Sequence, residues 1–113
     1  MHREKFTLDV LETTVRFGLR PNRPDLVIEY LAIIKQIINN TSLQPEKFRF
    51  AARATRIIYD TIADQKLDCT WRDVCSDYIY LCFRLLHANT LFEHQFFQIR
   101  QFRYQFAALQ TQI

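Results

Sequence analysis

Apolar residues recur along the chain at intervals of three and four, in five blocks separated by short polar breaks. In the first block Leu8, Leu11 and Val15 share one helical face. Thr7 is placed to cap this helix. Gly18 is placed to end it, because glycine accepts the left-handed conformation at a helix C-terminus. PNRPD (21–25) reads as a linker. A second helix is predicted from Asp25 to Asn39, with Val27, Tyr30, Leu31, Ile34, Ile37 and Ile38 on a broad stripe. NNTSLQ (39–44) breaks the period, and Pro45 suits a first helical position, where its missing N–H costs nothing. The third helix carries Phe48, Ala51, Ala54, Ile58 and Ile62. In TWRD (70–73) and TLFE (90–93) a threonine precedes a carboxylate by three residues, the spacing of a capping box. These two motifs predict the starts of the fourth and fifth helices. Trp71, Val74, Cys75, Tyr78, Cys82, Leu85 and Leu86 line one side of the fourth, and HAN (87–89) separates it from the fifth.

The pattern predicts an all-α protein of about five helices in successive antiparallel hairpins, either a helical bundle or a short α-solenoid. Composition agrees. One glycine and three prolines in 113 residues are too few breakers for the many turns of an all-β chain. The length suits one helical domain, 1–113, with a single core. The apolar period continues in phase to Ile113, without a glycine or a basic last turn. That ending predicts either a piece of a longer helical array or a last helix covered by another molecule.

Charge and chemistry narrow the function. The formal charge of +3 is well short of the footprint of a dedicated nucleic-acid binder. No apolar run approaches a membrane span and no signal peptide is visible, so the expected setting is cytoplasmic or nuclear. Cys69, Cys75 and Cys82 are odd in number and lack CxxC spacing, which predicts reduced thiols. Cys75 and Cys82 are expected in the core. No HExxH, GxSxG or glycine-rich phosphate loop occurs. No catalytic, cofactor or metal site is therefore expected, and the protein is expected not to be an enzyme.

Two clusters remain as candidate sites. Arg49, Arg53 and Arg56, at i, i+4 and i+7, share a helix face that could meet phosphate or an acidic partner. Read plainly, they are a solvated face, and three arginines supply few phosphate contacts. The second cluster is FEHQFFQIRQFRYQF (92–106). Leu91, Phe92, Phe96, Ile99, Phe102, Phe106, Leu109 and Ile113 are predicted to face the core. Phe97, Tyr104 and Ala108 lie opposite, with Gln101 between them. A helix that only covered a core would be polar there. Phe97, Tyr104, Arg100 and Gln101 are therefore the predicted partner-binding residues, since aromatic residues and arginine anchor protein interfaces.

The sequence thus points to an adaptor or scaffold module that binds another protein, or a second copy of itself as a homodimer. One alternative is an RNA-binding helical domain of a translation- or RNA-associated factor. It would use Arg49, Arg53, Arg56, Arg100 and Arg103 for phosphates and Phe97 and Tyr104 for base stacking. Another is a small viral-type bundle that takes a partner helix into an apolar groove. IIYDTIADQKLDCTWRDV, YLCFRLLH and FFQIRQF together resemble helical-repeat regions of translation-factor scaffold subunits. The shared residues span about half the chain and are mostly those any helical hairpin uses, so the resemblance implies a hairpin fold and nothing finer.

Overall fold

The chain forms α1 (His2–Phe17), α2 (Asp25–Asn40), α3 (Gln44–Ala63), α4 (Cys69–Ala88) and α5 (Glu93–Gln110). The computed structural model describes residues 2–111, and side chains from Thr7 to Thr111. Among the described residues there is no strand, and no helix is long and apolar enough to cross a membrane. The predicted stripes are the core: Leu8, Leu11 and Val15 of α1, Val27, Tyr30, Leu31, Ile34 and Ile38 of α2, and Phe48, Ala51, Ala54, Ile58 and Ile62 of α3 are all buried.

Polar ties at the helix ends fix the directions. Gln44, at the start of α3, donates to the carbonyl of Asn89 just past α4, and Arg72 near the start of α4 donates to the Ile62 carbonyl near the end of α3. These helices are therefore antiparallel. Arg53 reaches Asp9 and Glu12 while Arg16 reaches Asp64, so α1 and α3 run the same way. His87 meets Phe96 while Tyr80 meets Phe106, which makes α4 and α5 antiparallel. Each helix packs on the next and on the next but one. The result is a zigzag strip, with α1, α3 and α5 pointing one way and α2 and α4 the other. Its Cα extents of 37 × 35 × 15 Å are those of a slab about two helices thick. Inside it, α3 touches all four other helices. Ala51 and Ala54 give it the slim surface such crowding needs. The hydroxyls of its buried Thr55 and Thr61 bond back to the carbonyls of Ala51 and Ile57.

Gly18 ends α1 as expected. At φ +56° it is followed by the paired bonds Gly18 N–H to Val15 and Leu19 N–H to Thr14, which close the last turn. Pro45 takes the first turn of α3, at its second position, one later than expected. The three threonine caps are not used. α1 begins at His2, so Thr7 lies inside it. α4 begins at Cys69, because the chain is already turning at residues 64–67, and Thr70 falls inside the first turn. Thr90 donates to the Leu86 carbonyl and so finishes α4 rather than starting α5. α5 starts at Glu93 and is fastened by Gln95, whose buried side-chain carbonyl accepts the N–H groups of Leu91 and Phe92, at 2.9 and 3.1 Å. This is half of a capping box, since Phe92 at the cap has no acceptor to return the bond.

Candidate protein-docking site

α5 is buried along one narrow line. Gln95, Ile99, Phe102 and Phe106 point into the angle between α3 and α4, and Leu109 is half-buried behind them. The line is narrower than the predicted stripe. Leu91 and Phe92 precede the helix and do not follow its period, and both are exposed. Phe96 is 49% exposed; it projects about 90° from the buried line, beside the His87 ring. Ile113 lies outside the described residues.

The opposite side carries Phe97, 58% exposed, and Tyr104, 77% exposed, as expected from the sequence. Arg100 projects between them. Gln101 is exposed at the edge of this face, about 40° round the helix from Phe97. With Gln98, Gln105 and Phe102 it also lines a cleft of about 280 Å³ toward Ala52 and Arg56 of α3. On the α4 side, the exposed Tyr80 ring packs edge-on against Phe83 and Phe106, and Arg103 lies over the Phe83 ring, 5.5 Å from its centroid. The outer surface thus runs from Leu91 and Phe92 through Phe96 and Phe97 to Tyr104, with Tyr80 beside it. Phe96 and Tyr80 join it beyond the residues expected there. The helical period of α5 groups Phe96 with the core stripe, and Tyr80 shows its exposure only once α5 is placed.

The three arginines of α3 do not form one face. Arg53 turns inward to α1. Its guanidinium holds both carboxylate oxygens of Glu12 at 2.9–3.0 Å and Asp9 at 3.0 Å, and the buried Tyr30 donates to the same Glu12 at 2.7 Å. Burial, with this bond to Glu12, pushes the Tyr30 phenol far above its usual range, and the Glu12 bond raises Arg53 further still. Arg49 pairs with Glu46 on its own helix, in water. Arg56 leans across to α5, 4.8 Å from the centroid of the Phe102 ring, with Asp60 at 3.9 Å. One is a clamp, one a surface pair, and one a strut beneath α5.

A second depression, between the ends of α1 and α3, mixes Arg16, Asp60, Asp64 and Lys66 with Phe17 and Leu67. Charged or polar side chains line both of these depressions. Cys75 and Cys82 are buried, and burial pushes both thiols up to about 12, while Cys69 is exposed. Among the described residues no three metal-ligating side chains converge. No protein-family model, curated protein or solved structure matches the chain.

Proposed function

We propose that the chain is a non-enzymatic interaction module, an adaptor or scaffold element, that binds another protein through the outer face of α5. The observation that carries this reading is the pair of large exposed rings, Phe97 and Tyr104, on the side of α5 directly away from its buried line. Exposed aromatics one helical repeat apart offer contact area at little entropic cost, and Arg100 between them adds a directional donor.

The RNA reading draws less support. It needs free arginines, whereas Arg53 is committed to Glu12 and Asp9, Arg49 to Glu46, and Arg56 and Arg103 lie over aromatic rings. The groove reading also draws less support, because charged side chains line both of the depressions described above.

The test is the double variant Phe97→Ser, Tyr104→Ser. It is expected to keep the helical circular dichroism and the unfolding midpoint of the parent while losing association. Binding that persists unchanged in the folded double variant overturns the assignment. Binding that collapses steeply between 50 and 200 mM salt, as about 10³-fold losses do when phosphates are the target, returns the RNA reading.

A further inference from the structure

We infer that the partner of α5 is a second copy of α5: two chains pair through their outer faces, antiparallel, about a two-fold axis beside Phe96 and Phe97. This rests on the reading above and names its occupant.

The strip itself calls for an antiparallel neighbour. Neighbouring helices of the strip run in opposite directions, and the outer face of α5 leaves Phe97 and Tyr104 in water. A two-fold copy supplies an antiparallel helix against this face over residues 93–100. Spacing fits as well. Glu93, Phe97, Arg100 and Tyr104 follow one another by four, three and four, the spacing of a helix seam that packs against another helix.

Charge selects the second copy over an unrelated partner. An axis between positions 96 and 97 brings Glu93 of each chain opposite Arg100 of the other, so the interface holds two opposite-charge pairs. Among the described residues neither Glu93 nor Arg100 has an ion-pair partner within its own chain. The same axis sets Phe96 against Phe97 of the second copy, again twice. Tyr104 then lies over the α4–α5 corner of the second copy, where Leu91 and Phe92 are exposed. One symmetry operation thus accounts for all five large apolar side chains that the α5 region leaves in water among the described residues. A two-fold contact closes on itself and stops at the dimer.

The experiment is sedimentation equilibrium on the full chain. The wild type is expected to reach a plateau at twice the 13.6 kDa chain mass. Glu93→Arg alone brings arginine against arginine, and Arg100→Glu alone brings glutamate against glutamate. Each is expected to weaken self-association by more than about tenfold. An equimolar mixture of the two variants is expected to recover wild-type affinity, because both contacts then join an arginine to a glutamate. A mixture no tighter than either variant alone overturns the antiparallel register. A mass that grows without a plateau overturns the two-fold pairing in favour of a head-to-tail contact, for instance with the exposed Val10 and Phe17 of α1. A wild type that stays monomeric overturns the proposal outright. If the Phe97→Ser, Tyr104→Ser variant of such a monomer still loses a foreign partner, the interaction reading survives and only the second copy is excluded.

Discussion

At the α1 end of the strip, four helices meet through directed polar bonds. Arg53 of α3 grips Glu12 and Asp9 of α1, Tyr30 of α2 shares Glu12, Arg16 bonds Asp64 at 2.9 Å, and the Trp71 indole donates to the Val15 carbonyl at 2.9 Å. At the α5 end the helix lies on α3 and α4 through Ile99, Phe102 and Phe106, with Arg56 and Arg103 resting on rings. Directed bonds fix one geometry and leave their groups satisfied. Ring contacts tolerate small shifts, and on α5 they leave a full face of aromatic surface in water. The first end is built to hold α1 in place. The second holds α5 in place and still offers it to something else.

Four substitutions separate the two ends, in falling order of effect. Trp71→Ala removes the largest fully buried side chain together with its bond to Val15, and is expected to cost about 3–5 kcal/mol in urea unfolding. A cost under 1 kcal/mol would mean that α1 does not depend on its seat over α4. Glu12→Ala takes the shared acceptor from Arg53 and Tyr30. It is expected to cost about 2 kcal/mol, toward the lower end for a broken pair because Arg53 stays partly open to water. An effect as small as that of a surface pair would erase the contrast between the ends. Gln95→Ala strips the start of α5 of its cap, at about 1 kcal/mol. Amide exchange should quicken at Leu91 and Phe92 but not in α2, and uniform quickening would show α5 to be inseparable from the rest. Smallest of all, the double serine change at Phe97 and Tyr104 is expected to stay within about 0.5 kcal/mol of the parent. Outright unfolding would place both rings in the core.

The helices and most of the core were readable because burial follows the helical period wherever two neighbours flank a helix. α2, α3 and α4 are flanked in this way, and most of their stripes are legible, although in α4 Ile79 and Phe83 are buried where Val74 and Tyr78 are expected, and in α3 Thr55 and Thr61 join the core. α5 has neighbours on one side only. Its buried line is therefore narrow, and the wheel overfilled it with Phe96 and with the pre-helical Leu91 and Phe92. Capping was misread for a different reason. Thr70 and Thr90 have the right local spacing, yet where a helix begins was decided by the turn before α4 and by Gln95, a residue the motif does not include. The arginines failed for a third. A spacing of i, i+4, i+7 says that three side chains leave one helix in similar directions, but not that Glu12 waits beside one of them and Phe102 beside another. Phe97 and Tyr104 were legible because the side facing away from every neighbour is the one the period identifies best.

Trp71 is the single tryptophan of the chain, so its placement gives the molecule a built-in optical reporter. Its indole is sealed between α1 and α4, about 25 Å along α4 from the turn that leads to α5. Emission from this ring registers whether α1 is seated and is blind to what happens at Phe97. Self-association through α5 would double the mass while the spectrum stays blue-shifted. Loss of the Glu12 clamp would instead redden the spectrum and leave the mass alone. The two ends of the strip can therefore be followed in one cuvette, each by its own signal.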